Sequence, residues 1–388
     1  MRLLSLLLLC LPLLTAQTAS LTPQEISDGW IMLYDGESLF GWSPEGEARW
    51  NVAGGVLKAE GESGWLRSNS PFADFELACE FRAPKGANSG IFIRSAKEGA
   101  PHETGYEVQI WDKNPRFPTG SLVNHIRSKK PKFKANEWNT MVIRAEGSHF
   151  TVTLNGKPIL DGRDQKSAIG YVGLQHNKGQ EIVFRSLKLK PLGLAPIFNG
   201  KDLSGWREVV PTKPAKEPAV WTVKDGAIHV EHGGGQLETE GTYGDFLLQM
   251  DIRTNPKDAN HHPNSGVFFR GDANGYWTGY ESQIRNEYKD GDRTQPVDFG
   301  TGAIYNRIAA RRVVADDGKY FTKTILANGL HLSVWVNGFQ VTDWDDPRPV
   351  GENARKTARL TPGTISLQAH DPTTNLDFRN IRIAKLPK

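Results

Sequence analysis

The chain has little sulfur: among 388 residues there are four methionines and only two cysteines, Cys10 and Cys79. Cys10 stands inside the opening apolar run, so removal of that run leaves Cys79 alone and excludes an intrachain disulfide. Each domain must then be held by an ordinary hydrophobic core rather than by covalent staples. Beyond residue 14 no apolar stretch approaches the ~20 residues needed to cross a bilayer, so no transmembrane segment remains after the N-terminal run. Neither sign of charge dominates. The net charge is +3 with both signs interspersed, which gives no footprint for nucleic acid or an acidic membrane surface. Also missing are a nucleophile elbow, a phosphate-cradling Gly loop, zinc-type His/Cys spacing and His-Glu-x-x-His. No segment carries a sustained 3.6-residue apolar stripe; 22–26 reads as a single short turn.

What is present begins with Met1-Arg2, an apolar run over 3–14 and small residues over 16–20. That order reads as a signal peptide, residues 1–20, and predicts a secreted or periplasmic mature protein. Trp occurs 11 times, Gly 40 and Pro 23, mostly between short apolar stretches, which predicts an all-β chain rich in turns.

The chain then states one design twice. Leu33-Tyr34-Asp35-Gly36, closing on Gly41-Trp42, returns as Ile197-Phe198-Asn199-Gly200, closing on Gly205-Trp206. Asn88-Ser89-Gly90-Ile91-Phe92-Ile93-Arg94 answers to Asn264-Ser265-Gly266-Val267-Phe268-Phe269-Arg270. Tyr106-Glu107-Val108-Gln109-Ile110 answers to Tyr280-Glu281-Ser282-Gln283-Ile284, and Leu154-Asn155-Gly156 to Val336-Asn337-Gly338. Leu174-Gln175-His176 is matched to Leu367-Gln368-Ala369-His370. A period of roughly 170 residues is too long for a solenoid and marks a duplicated domain, here 21–191 and 195–388 with a short Pro/Gly linker.

Residues 75–82 and 246–253 alternate in the same phase, and further strands are predicted at 140–145, 150–154, 170–175 and 182–189. The Asn-Gly pairs predict two-residue hairpins. Many strands without helices imply a sandwich of two antiparallel sheets in each copy, with a closed barrel as the lesser alternative. The second copy is longer, with its extra residues at 209–219, 258–263, 289–299 and around 344–356; such loops commonly carry binding.

Glu107 and Gln109 share one face of a strand with Cα atoms ~6.5–7 Å apart, as do Glu281 and Gln283. Asp112, and Asn286 in the second copy, follow on the other parity. Nearby aromatics (Tyr106, Trp111, Tyr276, Trp277, Tyr280) suit a sugar cleft, although a plain solvated strand face has the same pattern. Arg94 and Arg270 are candidates for substrate binding or for structural ion pairs. His176 and His370, each after a Leu-Gln strand end, are candidates for acid–base work. Val123 and His125 stand where the second copy has Tyr305 and Arg307. His261-His262 reads as a solvated loop, and Asp290-Gly291-Asp292 and Asp343-Trp344-Asp345-Asp346 lack a complete calcium ligand set.

Taken in order, these motifs, with Thr301-Gly302-Ala303-Ile304-Tyr305 and Phe378-Arg379-Asn380-Ile381, resemble the 3-keto-disaccharide hydrolase domain family. The resemblance covers nearly all of the chain after the signal peptide and is fuller in the second copy. It implies two tandem concanavalin A-like jelly-roll β-sandwiches acting on 3-keto-glycosides. The C3 ketone would acidify the C2 proton, and elimination at C1 followed by hydration would give net hydrolysis. On that reading Glu281 and His370 (Glu107 and His176 in the first copy) are the acid and base. Arg270, Gln283, Asn286 and Tyr305, with Arg94, Gln109 and Asp112, would bind substrate. No cofactor is established, and a divalent metal such as calcium is left open for the enolate. A non-catalytic lectin-like module and a conventional glycosidase remain as rival readings.

Overall fold

The computed structural model describes residues 20–387 except 214, 259 and 354; the signal-peptide reading therefore lies, but for Ser20, outside the described residues. Each copy is a jelly-roll sandwich of two antiparallel sheets. In the second copy one sheet runs Trp206–Val209, Gly235–Thr239, Thr364–Ala369, Ser265–Gly271, Tyr280–Ile284 from edge to edge. The other runs Val220–Lys224, Ala227–Glu231, Asn375–Lys385, Phe246–Thr254, Tyr320–Asn328, His331–Val336, Phe339–Asp345.

The first copy keeps this order, but the long strands Trp42–Ala53 and Val56–Phe72 pass through both sheets and join them. Gly46 faces Gly64 where this pair bends, and a Cβ on Gly64 would stand 2.5 Å from the Glu45 carbonyl oxygen. Those glycines and the polar residues between them hide the long strands from a reading by alternation.

The expected hairpin turns form, with Asn155 and Gly156 at φ 50° and 75°, and Asn337 and Gly338 at 49° and 74°. The short turn at the start is the helix Pro23–Ser27, closed by a capping box between Thr22 and Glu25. Alternation along Phe246–Thr254 sends Phe246, Leu248, Met250 and Ile252 into the second sandwich. Leu247 points the other way, yet not into water: with Leu326 and Trp335 it joins the core cluster of the first copy. The back of one sandwich thus packs on its neighbour, and Trp335 Nε1 donates to the Met32 carbonyl at 3.1 Å.

Arg94 and Arg270 turn out to be struts, not substrate ligands, which corrects the expectation for both. Arg270 is wholly buried; its guanidinium donates to the carbonyls of Gly244, Gly329 and Arg359 and to Asp245. Arg94 repeats the pattern on Ala73, Gly147, Ser167 and Asp74. A buried guanidinium with its donors used in this way ties loops to the sandwich end and has nothing left for a ligand. Asn286 and the half-buried Asp112 are also engaged within the chain. Asn286 bridges Thr254, Asp317 and Thr301, and Asp112 accepts from Thr119 at 2.6 Å.

Candidate functional site

The strand Tyr280–Ile284 forms one edge of the five-stranded sheet of the second copy. Tyr280 and Ile284 face the sandwich core, so Glu281 and Gln283 project from the opposite face. On that face the neighbouring strands bring up Asn264, just before Ser265–Gly271, and Gln368 and His370 at the end of Thr364–Ala369. The glycine of the Asn-Ser-Gly motif has a direct purpose here. A Cβ on Gly266 would stand 2.6 Å from Glu281 Oε1, and one on Gly90 would stand 2.7 Å from Glu107 Oε1. Glycine is what lets the carboxyl lie flat on the sheet.

Loops then roof this face. Trp277, at φ 53°, is fixed by a hydrogen bond from its amide to Gln236 and by one from Arg355 to its carbonyl. Its ring lies parallel to His370, with centroids 5.4 Å apart and 4° between planes, and it also stacks with Tyr276, centroids 4.9 Å apart. Arg355, from the long loop of the second copy, brings Nη1 to 3.8 Å from Glu281 Oε2. Asp298, from another insertion, accepts from Gln283 Nε2 at 2.9 Å, and Tyr305 packs edge-on against Phe299. The result is a cleft of about 280 Å³ lined by Asn264, Trp277, Glu281, Gln283, Tyr305, Arg355, Gln368 and His370.

Burial dominates the electrostatics. Glu281 is 6% exposed, and burial pushes its carboxyl up to about 7 against the opposing pull of Arg355 and His370. His370 Nδ1 lies 2.8 Å from Asp371 Oδ2, and that bond helps hold Asp371 down at about 2. An ionised Asp371 keeps the proton on Nδ1 and leaves Nε2 for exchange. Four buried polar atoms of the lining, Asn264 Oδ1, Gln283 Oε1, Gln368 Oε1 and Trp277 Nε1, have no partner among the described residues. Groups of this kind are expensive to bury unless a polar ligand meets them. Amide oxygens beside an indole suit a ligand rich in hydroxyls.

Of the site residues expected in the second copy, Glu281, Gln283, Tyr305 and His370 come together, while Arg270 and Asn286 do not. In the first copy Glu107 is buried and pushed up to about 7, with a hydrogen bond from Gln175 in partial offset, and Gln109 is buried beside it. His176 is not beside them. Leu174 pairs with Ile91 as Leu367 pairs with Val267, so the ladder aligns His176 with Ala369 and Asn177 with His370. His176 therefore turns inward, edge-on to Trp50, which corrects the match made from sequence. It borders a larger cleft of about 700 Å³ at the sandwich end, with Lys58, Glu60, Arg82 and Glu181, away from Glu107. The smaller cleft is the better candidate of the two, because there a buried carboxyl meets an imidazole, a guanidinium and unpartnered amides.

The two His-Asp pairs and the aspartates of 343–346 are used internally. His261 pairs with Asp258, His262 with Asp317, Asp343 and Asp345 with His331, and Asp346 with Arg348. Among the described residues no cluster of three or more His, Cys, Asp or Glu is placed to hold a metal ion. Reading by motif missed Arg355 and Asp298, which sit in insertions without any repeat to mark them.

The fold and cleft define a two-domain β-sandwich protein with a polar, aromatic-walled site of sugar size in its second domain. The chain belongs to the 3-keto-alpha-glucoside-1,2-lyase-like domain family, whose model matches residues 29–190 and again 193–384. A 3-keto-disaccharide hydrolase from Bacteroides thetaiotaomicron is 29% identical over 121 residues, covering 27% of this chain and 42% of that protein. The chain thus matches less than half the length of that relative. Among solved structures, a candidate glycosyl hydrolase from Parabacteroides distasonis is 21% identical with a TM-score of 0.42, covering 45% of this chain and 100% of that one. The carbohydrate binding module CBM66 from Bacillus subtilis is 18% identical with a TM-score of 0.32, covering 38% and 94%.

Proposed function

We propose that the second domain hydrolyses glycosides whose C3 hydroxyl has been oxidised to a ketone. The observation that carries this is a single buried carboxyl, Glu281, poised near neutrality beside His370 and Arg355. Glu281 is the only carboxyl lining the cleft among the described residues. Ordinary glycosidases set two carboxyls across the scissile bond, roughly 5–9.5 Å apart. Cleavage next to a ketone needs one base, one acid and a donor to the enolate.

The Glu281 carboxylate takes the C2 proton, and the C–H electrons move into C2–C3 as the ketone oxygen becomes an enolate. Arg355 and Tyr305, which line the same cleft, would donate to that oxygen. The enolate collapses to form C1=C2 and breaks the C1–oxygen bond, with His370 Nε2 protonating the departing alcohol. Water then adds at C1 and a proton returns to C2, giving a free 3-keto sugar. Trp277 supplies an apolar wall for a sugar face.

The first domain keeps the buried glutamate but has Val123 for Tyr305 and Asn177 for His370. We read it as a non-catalytic partner that buttresses the second. Residues 1–20 support an exported protein. The deciding experiment incubates the full chain with a 3-keto-disaccharide and with its unoxidised parent. Cleavage of the keto form alone is expected, with loss of turnover in Glu281→Gln and His370→Ala. Cleavage of both sugars would favour a conventional glycosidase, and binding without cleavage of either would favour a lectin.

A further inference from the structure

A lysine crosses the apolar core of the second sandwich. Lys323 lies on Tyr320–Asn328 in the same phase as Phe321, Ile325 and Ala327, which are core residues. It is 0% exposed, and its ladder neighbours are Met250 and Val336. From the eight-stranded sheet it spans to the opposite sheet, where Nζ donates to Ser282 O at 3.1 Å, Ser282 Oγ at 3.3 Å and Gln283 O at 2.8 Å. Those acceptors sit on the strand whose other face carries Glu281 and Gln283.

The first domain provides a natural control. Met141 pairs with Cys79 as Lys323 pairs with Met250, so Met141 occupies the position of Lys323. Val108 occupies the position of Ser282 in the matching strand, and Met141 and Val108 are both fully buried core residues. The same fold is therefore built with an apolar Met–Val pair in one copy and a Lys–Ser pair in the other. A buried ammonium is costly to keep, so the fold does not require it and its presence under the cleft needs another reason.

We propose that Lys323 is a positioning residue for the cleft: it pins the strand bearing Glu281 and Gln283 from beneath and supplies, through the core, positive charge that favours the Glu281 carboxylate. The other charged or titratable groups facing Glu281 are Arg355, His370, Asp298 and Tyr305, all on the cleft side. Burial pulls the Lys323 ammonium down to about 7 and Glu281 draws it back up, so the two groups are electrostatically linked. Arg355 arrives from a loop, whereas Lys323 is fixed in the core whatever that loop does.

The proposal rests on Glu281 acting as the base, and its test is chosen to read the two ideas apart. The full chain is labelled with 13C at the glutamate carboxyls, and the Glu281 signal is identified by its loss in Glu281→Gln. Its titration is followed in the parent and in the double variant Lys323→Met, Ser282→Val, which installs the pair of the first domain. The expected result is a folded protein with a melting temperature no lower than the parent, and a Glu281 midpoint raised by about one pH unit. The acid limb of kcat/KM on a 3-keto-disaccharide should move by the same amount. An unmoved carboxyl midpoint overturns the proposal, whereas a moved midpoint with an unmoved acid limb upholds the effect of Lys323 on Glu281 and overturns Glu281 as the base. If the double variant does not fold, Lys323→Gln is titrated in its place, and the same shift supports the proposal while an unmoved midpoint overturns it. If the parent protein cleaves no 3-keto sugar, the proposed reaction fails while the titration still decides what Lys323 does to Glu281.

Discussion

The Glu281 carboxyl lies directly over Gly266, so close that a Cβ there would stand 2.6 Å from Oε1. This contact ties a motif glycine to the one carboxyl of the cleft. Gly266→Ala should leave the sandwich folded, since the clash can be relieved by swinging the glutamate. It should lower kcat/KM on a 3-keto-disaccharide by at least about tenfold, because the base is then misplaced by an ångström or so. Steady-state kinetics alongside thermal unfolding will check both halves.

Glu281→Gln should abolish turnover and stabilise the protein in a pH-dependent way. The folded carboxyl is raised from 4.5 to about 7, so its contribution to stability is intact below pH 4.5 and is lost as pH climbs through 7. The amide carries no such penalty. Urea unfolding should show little difference between variant and parent at pH 4.5 and a gain of roughly 2–3 kcal/mol for the variant at pH 8.

Glu107→Gln should leave turnover within about twofold of the parent, if the first domain lacks the acid and the enolate donors. A loss comparable to that of Glu281→Gln would show two working sites. The comparison belongs in the full chain. Leu247, Leu326 and Trp335 share a core cluster with the first domain, and cutting the domains apart would expose them to water.

The domain interface should loosen in alkali. His331 is buried against Asp343 and Asp345, with Ser70 of the first domain 3.1 Å from Nε2. Burial opposes its charge, but the two aspartates outweigh it and raise the imidazolium from 6.5 to about 9. A raised histidine stabilises the fold fully below pH 6.5 and ceases to as pH rises through 9. Melting temperature should fall between those values, by an amount corresponding to roughly 2–3 kcal/mol. His331→Gln should flatten that slope.

Arg270→Met should unfold the second domain instead of weakening substrate binding, since it strips several carbonyls and Asp245 of their donor. Loss of a buried, fully bonded charge of this kind costs about 3–5 kcal/mol. Circular dichroism separates that outcome from a folded protein with a raised KM.

Strand alternation, Asn-Gly turns and an internal repeat are local or periodic signals, and they made the two all-β copies legible in the linear chain. They also put Glu281 and Gln283 on one face, because side chains on a strand must alternate. Arg270 shows where local reading stops: its position at a strand end was visible, but the carbonyls that consume its donors come from residues 244, 329 and 359. His176 shows another limit. One residue between Gln and His in the second copy reverses which face the imidazole takes, and only the ladder reveals it. Lys323 was in principle readable, as a charge in the core phase of an apolar strand, but its partner across the sandwich was not.

The duplication, the sandwich class and the polar Glu-x-Gln stripe were thus determined by sequence alone. The tertiary structure decided how this stripe is roofed in the second domain, by Trp277 from the adjoining loop and by Asp298 and Arg355 from segments farther along the chain. Burial pushes the glutamate up to about 7 in both copies, Glu107 as well as Glu281, and what the second copy adds is the Arg355 charge and the Trp277–His370 stack beside it. Burial of this kind depends on what distant segments cover, and period and spacing do not encode it.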